Sequence, residues 1–201
     1  MFAANEIINT LWQKDTDSLK ARLLDILVKQ SYIEGKIILA SGKESNYYID
    51  GKMSTLDAEG GTIVSILFLR MLKENVTAVG GLSAGADPLS SGVSQVGYLT
   101  GKKITAFYVR KEPKKHGTSK WIEGPLKKGS NVAILEDVVT TGGSSLKAIE
   151  KVTEFGCNIK QVLAIVDRNE GGREKFKEKD LDYSYLFDIK EVIEKSKSIR
   201  S

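Results

Sequence analysis

The sequence predicts one α/β domain in which a central parallel sheet is flanked by helices. Short apolar runs rich in β-branched residues, typical of strands buried on both faces of a parallel sheet, alternate with longer helical patterns. The chain has 201 residues, of which 41% are apolar and 28% charged, and this suits one domain with a full core. We therefore treat residues 1–201 as a single domain.

The first elements follow from hydrophobic spacing. Apolar residues at i, i+4, i+7 and i+8 predict an amphipathic helix over residues 19–29, with Asp17 or Ser18 as its N-cap. Residues 2–12 carry a second apolar face of helical type. Runs at residues 37–39 and 47–49 predict short strands joined by a polar, Gly-containing loop.

The remaining elements alternate between the two types. A wide apolar stripe predicts a long helix over residues 57–73, and a short apolar run predicts a buried strand over residues 76–80. The later strands are predicted at residues 103–109, 132–135, 161–166 and 183–187, and the later helices at residues 146–155 and 189–195.

Residues 132–145, V-A-I-L-E-D-V-V-T-T-G-G-S-S, contain the main candidate site. Glu136 and Asp137 follow the apolar run and point to opposite sides if the strand continues, so one or both face the crevice at the strand's carboxyl end. The phosphate turn, residues 140–145, then offers hydroxyls and unhindered N–H groups directly before a helix. Such a turn at a helix N-terminus binds phosphate.

The order of these groups indicates the ligand. Neither a dinucleotide-binding nor a Walker motif is present. Carboxylates accept hydrogen bonds from vicinal hydroxyls and the turn donates to an anion, so the stretch fits a ribose 5-phosphate. The alternative is a buried strand followed by a helix capped by Ser144 or Thr141, without a ligand. Two acids beside six small or hydroxyl residues favour the ligand site.

This stretch resembles the phosphoribosyl pyrophosphate (PRPP) signature of the type I phosphoribosyltransferases. The resemblance implies PRPP as a substrate and a type I phosphoribosyltransferase-like sheet with a small hood subdomain, to which residues 1–50 or so contribute. It also implies roles for the acids in catalysis. The PRPP-binding residues implied within this stretch are Glu136, Asp137, Val138, Val139, Thr140, Thr141, Gly142, Gly143 and Ser144.

A second glycine-rich turn, G-G-L-S-A-G-A-D-P-L, follows the strand predicted over residues 76–80. Read alone, it fits either an anion-binding turn or an ordinary connection with Asp87 and Pro88 starting the next helix. By its position in the resemblance it is the pyrophosphate loop, made of Ser83, Ala84, Gly85 and Ala86, although it lacks the Tyr-Lys pair of some family members.

The charge of the chain is concentrated in one region. The net charge is +4, but residues 101–130 hold nine Lys or Arg against two Glu, a local charge of +7. One basic region on a mildly acidic protein favours a polyanionic ligand at one place, whereas nucleic acid usually requires a broader basic face, so no nucleic-acid partner is predicted. Within it, residues 110–124 have the composition of a long functional loop rather than of a core segment; a solvated face would also explain the charge.

Residues 110–117, R-K-E-P-K-K-H-G, resemble the catalytic loop of orotate phosphoribosyltransferases. The resemblance implies a mobile catalytic loop at residues 110–124. Its pyrophosphate ligands are Arg110, Lys111, Lys114 and His116, of which Lys114 stabilises the departing pyrophosphate. In that family the loop reaches the partner subunit's site, which implies a homodimer.

Two further stretches are similar to the orotate-binding parts of the same family. Tyr47 and Tyr48, within S-G-K-E-S-N-Y-Y-I-D, would lie against the pyrimidine, unless they form a cross-strand core pair. Arg168, in D-R-N-E-G-G, would bind the orotate carboxylate, and Thr140 completes the implied orotate site. Ala40 stands where many members have Lys, and Lys43 or Lys52 is the candidate replacement.

The resemblance implies transfer of the 5-phosphoribosyl group from PRPP to N1 of orotate, giving orotidine 5′-monophosphate and pyrophosphate, in pyrimidine synthesis. Mg²⁺ would be held mainly by PRPP and pyrophosphate, with no dedicated protein metal site. The rival hypotheses are a relative acting on another base, a PRPP-binding regulator, and a non-enzymatic nucleotide-binding protein.

The cellular environment is predicted from simple features. One cysteine, Cys157, excludes a disulfide framework and is expected to be a small buried or half-buried residue. The N-terminus lacks the pattern of a signal peptide, and no run of 18 apolar residues occurs. We therefore expect a cytoplasmic protein without a membrane partner.

Overall fold

The computed structural model describes residues 4–38, 44–113 and 120–200. The strands are β1 Tyr32–Ile38, β2 Glu44–Ile49, β3 Ala78–Gly80, β4 Thr105–Ala106, β5 Tyr108–Val109, β6 Ile122–Glu123, β7 Asn131–Val139, β8 Asn158–Asp167 and β9 Tyr183–Asp188. The helices are α1 Ala4–Gln13, α2 Thr16–Ile26, α3 Gly51–Thr55, α4 Ala58–Met71, α5 Ala86–Leu99, α6 Gly143–Glu154, α7 Gly172–Glu178 and α8 Ile189–Arg200. Over these described ranges no helix is long and apolar enough to cross a membrane.

Five parallel strands form the central sheet in the order β4-β3-β7-β8-β9, which confirms the predicted architecture. The central strand β7 is covered on both faces. Ala133 and Leu135 pack in one apolar cluster with α2 and α4, whereas Val132 and Ile134 pack in a second cluster with α6 and α7. The alternation of strand side chains thus divides the core into two layers.

The strand predicted over residues 103–109 is wrong as a single element. β4 pairs with β3 in the central sheet, whereas β5 pairs antiparallel with β6, with Val109 opposite Ile122. Buried Phe107 separates them, and its ring lies so close to Gly80 that a Cβ there would be 2.6 Å from the ring. The chain stays beside the segment after β3, because the Val109 N–H donates to Gly81 O at 2.8 Å, and β5 also pairs with β6.

The hairpin predicted near the N-terminus exists but begins earlier. β1 and β2 are antiparallel, with Ile33 opposite Tyr48 and Glu34 opposite Tyr47. The run predicted over residues 37–39 is therefore only the end of β1, and its last residue lies outside the described residues.

The bounds of α2 differ from the prediction at both ends. Its N-cap is Asp15 rather than Asp17 or Ser18, because the Asp15 carboxylate accepts a hydrogen bond from the Ser18 N–H at 2.8 Å. The α-helix ends at Ile26 and continues as a π-helical turn, Leu27–Ser31.

The C-terminal helix α8 runs to Arg200, beyond the predicted end at Lys195. Two ion pairs attach it to earlier elements. Lys195 pairs with Asp25 of α2 at 2.8 Å, and Arg200 pairs with Glu34 of β1. These partners are distant in sequence, so the local pattern could not reveal them.

Candidate active site

The acid pair lies near the carboxyl end of β7, and its two side chains point to opposite faces as predicted. Glu136 is buried on the α6 side, where Ser145 Oγ donates to its Oε2 at 3.1 Å. Asp137 is buried on the other side, next to Gly51 of α3 and Gly85 at the start of α5. Strand β7 runs to Val139, so the pair is held inside a hydrogen-bonded strand.

Burial changes the ionisation of both acids. Burial and the neighbouring Asp137 carboxyl raise the pKa of Glu136 to about 8. Burial also raises the pKa of Asp137, although the Val138 N–H, which donates to Asp137 Oδ1 at 2.9 Å, and the Lys52 charge oppose this rise. Two adjacent carboxyls therefore retain a proton at neutral pH that exposed carboxyls would lose. Such perturbed groups are concentrated at functional sites.

Two glycines fix the position of Asp137, and sequence reasoning missed their role. A Cβ on Gly51 would lie 2.6 Å from Asp137 Cβ, and one on Gly85 would lie 2.7 Å from Asp137 Oδ1. Neither glycine has a positive φ, so the requirement is space and not backbone freedom. Gly85 belongs to a visible motif, but no local pattern marks Gly51, because only the folded chain brings α3 to β7.

We expect Gly51→Ala to weaken binding of a ribose phosphate about tenfold and to destabilise the fold by about 1–3 kcal/mol, because the added methyl group collides with Asp137. Titration calorimetry and urea unfolding measure the two effects. Met53→Ala, at an exposed residue of the same helix, is the matched control. Wild-type binding by Gly51→Ala would show that the Asp137 position is unimportant.

The phosphate turn leads directly into α6. Gly142 is the N-cap, with φ 74°, and no side chain caps this helix. The alternative in which Ser144 or Thr141 is the N-cap is therefore wrong. Because the first N–H groups of a helix need an acceptor, the start of α6 offers donors and a favourable dipole to an anion.

The neighbouring chain closes one side of the phosphate turn. The N–H of Gly172 donates to Thr140 O at 3.1 Å, and a Cβ on Gly172 would lie 2.5 Å from Val139 Cγ1. The end of β7 and the start of α7 thus hold each other in place.

The predicted pyrophosphate loop, residues 83–86, connects β3 to α5 beside Asp137. Gly85 is the N-cap of α5 and no side chain caps this helix either. Ser83 Oγ donates to both oxygens of Asp87, at 2.8 and 2.9 Å, and its N–H donates to Val109 O at 2.9 Å. The peptide bond between Ser83 and Ala84 is cis. The starts of α5 and α6 therefore lie after adjacent strands, β3 and β7, on either side of the acid pair.

The predicted catalytic loop at residues 110–124, here called the basic loop, begins directly after β5 and includes β6, with which β5 pairs. The Arg110 N–H donates to Trp121 O at 2.8 Å, and the Arg110 guanidinium is 3.5 Å from Glu123. Lys111 lies next to it at the exposed end of β5. Lys114 and His116, which the sequence also predicts as ligands, lie outside the described residues.

Two of the predicted orotate residues, Arg168 and Tyr47, meet just beyond the end of β8. Arg168 is buried, with one guanidinium nitrogen 2.8 Å from Glu170 and its Cζ 4.8 Å from the Tyr47 ring centroid. Its Nε is buried and has no hydrogen-bond partner in the described part of the chain. An unpartnered buried N–H costs about 1–3 kcal/mol, so the arginine is suited to an incoming acceptor.

The two tyrosines have different surroundings. Tyr47 stacks across the hairpin on Tyr32, with ring centroids 6.0 Å apart, so the cross-strand alternative describes this residue. Tyr48 is on the opposite face of β2 and is 36% exposed. Contact of either ring with a pyrimidine stays a prediction.

Lys52 is the described candidate for the lysine missing at Ala40, whereas Lys43 lies outside the described residues. The Lys52 Nζ is 2.5 Å from Asp50 Oδ1. The hydrogen bond to Asp50 raises the pKa of Lys52, and the Asp137 charge adds to this. A cation therefore lies on the Asp137 side of the acid pair.

Solved structures share the arrangement of this sheet. Orotate phosphoribosyltransferase from Mycobacterium tuberculosis, in complex with PRPP, matches with a TM-score of 0.74 and 29% identity, over 87% of this chain and 98% of that chain. The enzyme from Aeropyrum pernix has a TM-score of 0.72 and 30% identity, over 86% and 97%. Adenine phosphoribosyltransferase from Leishmania donovani, at 17% identity and a TM-score of 0.61, shares the fold alone. Fold and site thus define a type I phosphoribosyltransferase.

Sequence relatives identify the family within this class, although no protein-family model matches the chain. Orotate phosphoribosyltransferase of Synechocystis sp. is 45% identical over 171 residues, which is 85% of this chain and 86% of the relative. That of Nostoc sp. is 40% identical over 179 residues, which is 89% and 87%. The chain belongs to the orotate phosphoribosyltransferase family.

Proposed function

We propose that this enzyme transfers the 5-phosphoribosyl group of PRPP to N1 of orotate, with orotidine 5′-monophosphate and pyrophosphate as products, in the synthesis of pyrimidine nucleotides. The observation that carries the proposal is the buried acid pair of β7 directly before the uncapped start of α6. A ribose 5-phosphate presents hydroxyls and a phosphate in the matching order.

Glu136 and Asp137 accept hydrogen bonds from the ribose hydroxyls. Residues 140–144 bind the 5-phosphate through backbone N–H groups and hydroxyls, which fixes the ring relative to β7. As the bond to pyrophosphate breaks, positive charge develops on the ribose ring. The negative charge shared by the buried acids stabilises this charge more strongly than it would in water.

The pyrophosphate leaves on the side of Ser83, Ala84, Gly85 and Ala86, where the start of α5 presents the positive end of its helix dipole. Arg110, Lys111, Lys114 and His116 supply charge for the same group, with Lys114 on the leaving oxygen. Arg168 binds the orotate carboxylate, which places N1 toward the ribose, and Tyr47, Tyr48 and Thr140 complete this side.

Mg²⁺ is proposed as the metal, bound mainly through the oxygens of PRPP and pyrophosphate. No group of three or more His, Cys, Asp or Glu able to hold a metal ion occurs in residues 4–38, 44–113 and 120–200. Mg²⁺ requires six oxygen ligands and usually keeps several waters, so substrate oxygens and water would supply them. When bound, the ion would neutralise part of the pyrophosphate charge.

We also propose a homodimer in which residues 110–124 of one subunit serve the site of the other. The support is the family to which the chain belongs and the concentration of Lys and Arg in this segment. A cytoplasmic location is proposed because Cys157 is a buried free thiol, its Sγ 3.3 Å from Lys127 O.

The decrease in ultraviolet absorbance of orotate in the presence of PRPP and Mg²⁺ tests the function. Uracil, hypoxanthine and adenine are the controls, and only orotate is expected to react. Turnover of another base would retain the PRPP site and overturn the Arg168 assignment. No turnover of any of the four bases, by folded protein that binds PRPP, would indicate a regulator.

A further inference from the structure

Lys147 connects the phosphate-binding helix to the base of the basic loop. It lies one helical turn after Gly143, the first residue of α6, and its Nζ donates to Lys111 O at 2.8 Å. No local pattern in the sequence predicts this bond, because the two residues are 36 positions apart.

The same lysine contacts the other end of the loop. Its Nζ is 5.4 Å from the centroid of the Trp121 ring, a cation–π distance. Trp121 O accepts the hydrogen bond from the Arg110 N–H at 2.8 Å. Lys147 thus touches the outgoing strand end at Lys111 and the returning strand end at Trp121.

Lys151 provides a natural comparison. It lies one turn further along α6, and its Nζ is 5.0 Å from the same Trp121 ring centroid. It binds Glu150 and Glu154, at 2.7 and 2.9 Å, rather than the backbone of the loop. The two lysines therefore share the helix, the ring and the charge, and differ in the bond to Lys111.

We propose that Lys147 is a positioning residue that fixes Arg110 and Lys111 relative to the phosphate-binding start of α6. Because Arg110 and Lys111 are proposed pyrophosphate ligands, the inference rests on the proposed function. Lys147, on a rigid helix, contacts both ends of the basic loop. It therefore orders Arg110 and Lys111 in the subunit that carries them, whether they contact the pyrophosphate of that subunit or of its partner. Such positioning lowers the entropic cost of bringing the loop cations to the pyrophosphate.

The test compares two ligands in two variants. In Lys147→Met, which keeps the apolar stem and removes the donor, we expect the Kd for PRPP to rise about tenfold and kcat to fall about tenfold. The Kd for ribose 5-phosphate, which lacks the pyrophosphate, should change by less than about twofold, because α6 itself is intact. Isothermal titration calorimetry measures both constants.

The control Lys151→Met should leave both constants and kcat unchanged, and Lys147→Arg should recover most of the PRPP affinity, since a guanidinium also donates to a carbonyl. Unaltered PRPP binding in Lys147→Met would overturn the inference. Equal weakening of PRPP and ribose 5-phosphate would also overturn it, because Lys147 would then only support the helix. Wild-type protein that binds ribose 5-phosphate but has no activity with orotate would instead refute the proposed function.

Discussion

In a Glu136→Gln variant we expect kcat to fall about 100-fold while the free energy of unfolding at about pH 8 rises by roughly 1–3 kcal/mol. The activity falls because an amide, unlike the Glu136 carboxyl, cannot give up a proton and so cannot supply the negative charge that stabilises the ribose ring. The stability rises because Glu136 is buried beside Asp137, which raises its pKa to about 8. The Glu136 carboxyl opposes folding but serves the reaction. Its replacement should therefore raise the free energy of unfolding and lower kcat.

The pH dependence of stability gives this prediction its sign. The folded protein keeps a proton on Glu136 up to about pH 8, whereas the unfolded chain loses it near 4.5, the ordinary pKa of a glutamate. Because the folded state binds more protons in this interval, wild-type stability should fall as the pH rises through it. Between about pH 5 and about pH 8 the stability difference between Glu136→Gln and wild type should grow, and above that it should be constant.

Urea unfolding at several pH values, beside initial rates, measures both effects. Glu174→Gln, which changes an exposed carboxylate of α7, is the control and should alter neither quantity. A Glu136→Gln protein that is less stable than wild type across the whole pH range would show that neighbouring groups compensate the cost of burying the Glu136 carboxylate. Wild-type kcat in this variant would exclude Glu136 from the reaction.

The second large effect is expected at Arg168. Arg168→Met should lower kcat/KM for orotate at least about 100-fold, because removing a buried guanidinium that pairs with a ligand carboxylate costs roughly 2–5 kcal/mol, much of it from leaving that carboxylate unpaired. The PRPP Kd should change by less than about twofold, since the Arg168 side chain contacts Tyr47 and Glu170, and the variant keeps the backbone N–H that bonds Val139 O at 2.9 Å beside the phosphate turn. Steady-state kinetics and calorimetry separate the two substrates.

Arg22→Met, at a surface arginine paired with Glu59 at 2.5 Å, is the matched control for the change of residue type. Some loss of stability is also expected in Arg168→Met, because Glu170 loses its partner and Tyr47 loses its contact. Equal losses for PRPP and orotate would mean that Arg168 supports the whole site rather than the orotate carboxylate.

Local patterns were sufficient for the parts of the site that are continuous in sequence. The strand, the acid pair and the phosphate turn occupy residues 132–145, so their order already defines which group faces which part of a ribose phosphate. The parallel sheet was predictable for the same reason, because each buried strand is a short apolar run.

Contacts between distant segments were not predictable. Gly51 and Gly85 enclose Asp137, and Lys147 binds Lys111, only because folding brings these residues together. The predicted strand over residues 103–109 is divided because β5 pairs with β6, a contact that is equally non-local. Sequence reasoning therefore located the acid pair and the turn before α6, and missed the residues that position them.

A crystal structure with bound orotidine 5′-monophosphate would test directly which residues bind each part of the nucleotide. We expect the 5′-phosphate at the start of α6 on residues 140–144, the ribose hydroxyls on Glu136 and Asp137, and the pyrimidine carboxylate on Arg168. A phosphate bound elsewhere, or a carboxylate that faces away from Arg168, would contradict it.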